Sequence, residues 1–319
     1  MATTDPGGVR SLNDLSWPRE QARADGRSRP RFRQDRRRPQ APLVSRLSRR
    51  VLTNILIAII LVVEIYPLFW ILTSSFKSQD DFTSQPLWSL PKHLNFHNYV
   101  TAWLTGDLGT DAINSLTVTL VSMIVILLTG SAAAFALEVM IWRGRTSILL
   151  FIIGGLMVPG QLILLPLFTI YFKLGFTNSL APLIITYIGQ GLPLTVFLMA
   201  TYFRSVPREL FEACALDGGG VFRCFFSVGL PLVRNGIFTL GMLLFFSIWN
   251  DLLVALTFNS KPSLSTVQVG LLNFNGQYGQ VEYGPLLAAI SIVIFSMLIV
   301  YLLVNQRVMR GMTAGSIKG

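Results

Sequence analysis

Charge is what this 319-residue chain has least of. Only 13% of its residues are Asp, Glu, Lys or Arg, whereas an ordinary soluble domain carries about 25%. Chemistry-bearing residues are also scarce. The two cysteines, Cys214 and Cys224, match no metal-ligand spacing. The two histidines, His93 and His97, sit in a Pro/Asn-rich stretch with no cysteine or carboxylate close by to complete a site. None of the five lysines (Lys77, Lys92, Lys173, Lys261, Lys318) follows a glycine. The G-x-x-x-x-G-K-[ST] phosphate loop is therefore missing, which excludes an ATPase on this chain. Both histidines lie outside the apolar runs, so no buried nucleophile–histidine pair can form. A transport or structural role is expected, not an enzyme, and no cofactor or metal.

What the chain has instead is apolar length. Hydrophobic residues make up 52% of it, and residues 112–137, 146–172, 174–203 and 283–306 contain no charge. Each run is at least as long as the ~20 residues that cross a bilayer as a helix. Two further runs, 51–76 and 235–256, are interrupted only by Glu64 and Asp251. The runs are continuously apolar, which excludes the alternating strands of a barrel. The expectation is an all-α membrane protein with six transmembrane helices near 51–74, 113–137, 147–171, 179–203, 235–257 and 285–305. An ionisable group inside a span is expected to have a function or a partner. Glu64 is expected to bond a backbone or hydroxyl group on a neighbouring helix.

Basic residues set the orientation. Residues 1–50 hold thirteen arginines against five acids. With that tail inside the cell, segments 1–50, 138–146, 204–234 and 306–319 collect twenty-two of the twenty-six Lys and Arg, as the positive-inside rule requires. Both termini are then cytoplasmic and the chain is a multi-pass protein of the cell membrane. Cys214 and Cys224 fall on the cytoplasmic side, where thiols stay reduced. The tail 1–50 has the composition of a disordered segment. Its arginines suit anionic lipid heads; nucleic acid is not an expected partner. Ser48-Arg49-Arg50 resembles a twin-arginine export signal. No small-residue cleavage site follows it, so an uncleaved first helix is expected.

The informative segment is 204–234. Pro207 suits a first helical turn, and Glu209 sits near the positive end of the helix dipole. Val206, Leu210, Ala213 and Cys214 form one apolar stripe. Gly218, Gly219 and Gly220 stop that helix. A second short helix, Val221 to Val228, offers Phe222, Phe225 and Phe226, and Pro231 ends it. Arg208, Glu209, Glu212 and Asp217 mix both charges, which favours a protein partner over a lipid surface.

Glu212-Ala213-x-x-x-Asp217-Gly218, followed by Leu230-Pro231, resembles the Glu-Ala-Ala loop of ATP-binding-cassette importer permeases, with Cys214 in place of the second alanine. Three more stretches narrow the resemblance to the carbohydrate permeases of the maltose type, second membrane subunit. These are Met157-Val158-Pro159-Gly160-Gln161 with Pro166-Leu167, Trp249-Asn250-Asp251, and Arg310 to Gly319. The resemblance runs from about residue 52 to the end and implies a type-1 importer permease fold. It divides the chain into a tail (1–50), a first helix with its extracellular loop (51–110), a permease core (111–305) and a cytoplasmic tail (306–319). It implies a homologous permease, two ATPase subunits that hold ATP and Mg, and an extracellular sugar-binding protein as partners. Glu212, Ala213, Asp217, Gly218, Leu230 and Pro231 would form the coupling element, with Glu212 and Asp217 orienting it by capping and ion pairing. Asp251, Asn250, Trp249, Gln161 and Glu64 are candidates for the pathway or for bonds between helices. Gly311, Thr313, Ala314 and Gly315 are candidates for an ATPase contact. No basic residue lies within a span, which favours a di- or oligosaccharide over a phosphorylated polyol. A secondary transporter and a membrane scaffold stay open as alternatives. The first should show related halves, and the second has no need of Pro159, Pro166 and Pro193 to break three spans.

Overall fold

The computed structural model describes the backbone of residues 43–259, 261–274 and 281–315, and the side chains of 50–177, 179–259, 261–274 and 281–303. Expectations about residues 1–42 and 316–319 lie outside the described residues.

Most of the described residues are helical, and four helices are long and apolar enough to cross a membrane unbroken. They lie within α1 (Leu43–Ser74), α2 (Leu108–Glu138), α5 (Ala181–Arg204) and α10 (Tyr283–Gly315). The third expected span is a bent pair, and α8 (Arg234–Trp249), which begins the fifth, is bent against the loop segment before it. α3 (Arg145–Gly154) and α4 (Leu164–Lys173) belong to a pair that turns through 87°; α8 meets the segment Val221–Leu232 at 76°. Counting each bent pair as one span gives six.

The bend between α3 and α4 has a local cause. A residue before proline is pushed out of the helical region, and Val158, before Pro159, is extended at φ −86° and ψ 115°. The other two prolines do not break their helices, contrary to expectation. Pro166 lies in the first turn of α4, where N–H groups lack an intrahelical acceptor anyway. Pro193 lies inside α5, which runs unbroken past it. The fifth expected helix stops early, at Trp249, and α9 (Leu253–Phe258) resumes after a turn at Asn250–Leu252.

α1 starts at Leu43, ahead of the expected tail boundary. No part of its most apolar window is buried within the chain, as suits a helix meant for lipid or for another subunit. Glu64 is exposed on it, and among the described residues no hydrogen-bond partner reaches its carboxylate, so the expected bond to a neighbouring helix is not made there.

Within residues 61–319, the central contact joins α2 to α5. The buried stripe of α2 includes Ser122, Ile126, Gly130 and Ala134, spaced at i, i+4 and so on. Small residues at that spacing let membrane helices approach closely, where there is no hydrophobic force between them to exploit. Three apolar clusters follow along the helices. The middle one holds Val118, Ile126, Leu183, Tyr187 and Leu244. The one at the 204–234 end gathers around Phe135, Met199 and Phe203. The one at the opposite end holds Ala102, Leu108, Val267, Phe274 and Ala288.

At that opposite end the connection after α1 is pinned by side chains. Asn98 Nδ2 donates to the carbonyls of Ser75 and Lys77, both at 2.8 Å. Lys77 is fully buried, donates to the carbonyl of Leu87 at 3.1 Å and lies 5.4 Å from the centre of the Phe82 ring. Burial pushes its ammonium pKa down, and Asp81 pulls it back up.

Candidate functional site

The 204–234 loop is built on the ends of two spans. Arg204, the last residue of α5, forks onto Glu138, the last residue of α2, with Nε–Oε1 and Nη2–Oε2 both at 3.0 Å. Arg145 Nη1 donates to the carbonyl of Met140 at 3.0 Å, which draws in the start of α3. The guanidinium is mostly exposed, so the pair adds at most about 1 kcal/mol. Its planar geometry matters more, because it fixes where the loop leaves the bundle.

α6 (Glu209–Leu216) begins beyond Pro207 and carries Glu209 and Glu212 in its first turn, where the helix dipole favours acids. Phe211 is the residue it buries. Its ring centroid is 5.6 Å from that of Phe135, which also meets Phe203 at 5.6 Å and Phe225 at 5.3 Å. Val206 and Cys214 pack beside this cluster, while Leu210 and Ala213 are exposed. The expected stripe is thus corrected. The helix starts later than Val206, and aromatic packing on Phe135 turns Phe211 inward in place of Leu210.

α6 ends in a Schellman turn. Gly219 N–H bonds the carbonyl of Cys214 at 2.9 Å and Gly218 N–H that of Ala215 at 3.1 Å, the pair of bonds that satisfies the last carbonyls of a helix. Gly218 has φ +79°, which a side chain would strain. A Cβ on Gly219 would lie 2.6 Å from the carbonyl oxygen of Cys214. This turn brings Cys214 back over Cys224 in α7 (Val221–Cys224), and the two are joined as a disulfide with Cα atoms 5.9 Å apart. The sequence reading expected two separate thiols, and the fold instead brings them together as a pair.

Glu212, Ala213 and Asp217 are all exposed, and no described side chain pairs with either acid. The capping and ion-pairing roles expected of Glu212 and Asp217 are therefore not made among the described residues, and the Schellman turn closes the helix with backbone bonds. Leu216 and Phe222 at the tip are 88% and 80% exposed. Phe225 is buried and Phe226 exposed, so the three phenylalanines divide between anchor and surface. Leu230 packs against the Phe135 cluster and Pro231 is exposed.

Asp251 lies between α8 and α9. Its Oδ1 accepts from Tyr187 Oη on α5 at 2.9 Å and from the backbone N–H groups of Val254 and Ala255 at 2.8 and 3.3 Å. One carboxylate oxygen thus starts α9 and ties it to α5. Asn250 bonds back to the carbonyl of Phe246 at 2.9 Å, and Trp249 stacks on Phe245 at 5.8 Å. Gln161 is exposed beside the bend after Pro159. Gln190 comes close there, its Nε2 being 3.2 Å from where a Cβ on Gly160 would stand, and that nitrogen is buried with no described acceptor. The sequence reading missed Tyr187, Gln190, Phe135 and the Glu138–Arg204 pair. A signal existed for the last, because opposite charges end the runs 112–137 and 174–203. α10 carries Gly311, Thr313, Ala314 and Gly315 on a helical backbone, so the expected tail from 306 continues the last span to Gly315. Side chains beyond Leu303 lie outside the described residues.

Residues 126–310 match the family described as "binding-protein-dependent transport system inner membrane component". The chain is 33% identical to the diacetylchitobiose uptake system permease protein NgcG of Streptomyces coelicolor, over 81% of this chain and 85% of that one. It is 34% identical to the sulfoquinovosyl glycerol transport system permease protein SmoH of Agrobacterium fabrum, over 87% and 97%. It is 29% identical to the trehalose/maltose transport system permease protein MalG of Thermococcus litoralis, over 85% and 98%. A solved structure, titled as a bacterial ABC transporter involved in import of the acidic polysaccharide alginate, superposes with a TM-score of 0.73 at 21% identity, covering 84% of this chain and 99% of that one. The chain therefore belongs to the inner-membrane components of binding-protein-dependent transport systems, and it is a multi-pass permease subunit of an ATP-binding-cassette importer with the type-1 fold.

Proposed function

We propose that this chain, with a homologous permease, lines the pathway for a di- or oligosaccharide delivered by an extracellular binding protein. The 204–234 loop is its coupling element, seated on one of two ATPase subunits that hold ATP and Mg. The observation that carries this reading is the loop's construction. Its inner face is anchored on Phe135, while Leu216, Phe222, Glu212 and Asp217 stand outward without partners among the described residues. Exposed apolar side chains ringed by unpaired charges suit a protein cleft better than water. Relatives whose names include diacetylchitobiose, trehalose/maltose and melibiose/raffinose/stachyose support a sugar as substrate. The bias of basic residues supports cytoplasmic termini and a cytoplasmic loop. Asp251 serves as the joint between α5 and α9 beside the pathway, and Gly311 to Gly315 extend the last helix toward the ATPases.

Gly218→Val and Glu212→Lys test the reading. A Cβ at Gly218 would touch nothing within 4 Å, so the valine acts only through the left-handed backbone, at about 1–2 kcal/mol. Both variants are expected to insert and pair with the second permease yet to lose at least about tenfold in sugar uptake, a shift equivalent to ~1.4 kcal/mol. Copurified ATPase should fall, or hydrolysis should run without transport. Normal uptake by both variants would remove the coupling role.

A further inference from the structure

Beside the start of α2, at the end opposite the 204–234 loop, lies a cleft of about 540 Å³. Two indoles, Trp103 and Trp249, contribute to its walls, with Asp107 and Thr110 as polar members and Ile113 and Leu116 as apolar ones. No Lys or Arg lines it. Its backbone is unusual on both sides. Thr101–Thr105 is a π-helical turn, a form that gathers at functional sites. Asp107 is the one non-glycine described residue with positive φ, at +54°. Backbone conformations of that kind persist where the surroundings hold them, and they cluster at ligand sites. The holding groups are visible: Gly106 N–H bonds the carbonyl of Thr101 at 2.9 Å, and the Trp103 indole lies against Gly109.

A belt of tryptophans at a membrane surface would explain the indoles more simply, but such residues keep the N–H in water or headgroups. Trp249 does not. Its Nε1 is buried and has no described acceptor, and a buried donor left unpaired costs about 1–3 kcal/mol. The Trp249 indole is thus fixed by packing, stacked on Phe245, and presents to the cleft only part of its ring.

We propose that the Trp103–Trp249 cleft is a subsite for a neutral pyranose ring of the transported oligosaccharide. The proposal rests on the sugar reading above and adds the place and the charge of the ligand. The apolar C–H face of a pyranose stacks on an indole, and its hydroxyls donate to the Asp107 carboxylate and the Thr110 hydroxyl. A bare carboxylate with no basic neighbour repels uronic, sulfonated and phosphorylated sugars.

The test uses the full importer, with its partner permease, ATPases and binding protein, in proteoliposomes. The probes are diacetylchitobiose, maltose and raffinose as neutral sugars and an alginate oligomer as the acidic one. Uptake of at least one neutral sugar by the wild type reads the substrate class by itself. No uptake of any probe, or of the alginate oligomer alone, would overturn both the neutral-sugar reading and the subsite. For a transported neutral sugar, Trp103→Ala is expected to lower the maximal uptake rate about tenfold. Trp103→Phe, which keeps an aromatic face, should stay within about twofold. Asp107→Asn tolerates the left-handed backbone and is expected to relax the exclusion of the acidic probe. Membrane abundance and copurification of the partner permease and the ATPases, measured for each variant, separate a lost subsite from a damaged fold. Uptake by Trp103→Ala within about twofold of wild type, with the acidic probe still refused by Asp107→Asn, would overturn the subsite and leave the sugar reading standing.

Discussion

Phe135→Ala is expected to abolish transport while leaving the bundle inserted. The ring is nearly fully buried and meets Phe203, Phe211 and Phe225, so it is the shared contact of α2, α5, α6 and the π-helical turn Phe225–Gly229 that follows α7. Removing a buried phenylalanine costs about 3–5 kcal/mol. The cost should fall on the loop more than on the spans, because the α2–α5 seam at Ser122, Ile126 and Gly130 lies elsewhere along the helix. Limited proteolysis within 204–234, measured on membranes of matched abundance, should become at least tenfold faster, and uptake should fall with it. Phe135→Leu, which refills most of the volume, should recover a good part of both. An alanine variant with wild-type uptake and an equally resistant loop would show that α6 is held by something other than Phe135.

Asp251 carries the second large effect. Asp251→Ala strands the N–H groups of Val254 and Ala255 and the hydroxyl of Tyr187, all of which converge on one oxygen. Each donor that water does not reach costs about 1–3 kcal/mol. The alanine chain is expected to melt lower in detergent and to lose at least tenfold in uptake. Asp251→Asn keeps an acceptor oxygen and should remain near wild type. Tyr187→Phe removes one bond and leaves no donor unpaired, so it should cost about 1 kcal/mol. If the asparagine variant fails as badly as alanine, charge at 251 matters beyond the joint described here, and a role in the pathway itself becomes the better account.

The α-helical, multi-pass nature of the chain was legible from its charge-free runs, and so was the position of the loop that interrupts them. The loop's two short helices and glycine stop were legible as well. What failed was mostly orientation. Leu210 was expected inward and Phe211 is there instead, because the buried face depends on where Phe135 stands, in a helix far away in sequence. Glu212 and Asp217 were expected to cap and pair within the chain. Backbone bonds from Gly218 and Gly219 close α6 and leave both acids outward.

Sequence alone determined the solvent. Partition into a bilayer depends on hydropathy summed over a local window, and that sum is complete before any residue meets a distant one. It also determined one of the two bends, since Pro159 acts on its own neighbour Val158. Tertiary structure decided everything that requires two elements to meet. It set Glu138 on Arg204, Asp251 on Tyr187, Cys214 on Cys224 and Trp103 beside Trp249. The reason is geometric. A hydrogen bond or ring contact is decided within about an ångström, and helices that meet at such range owe their registry to close packing along the whole seam. No local window of residues contains that registry.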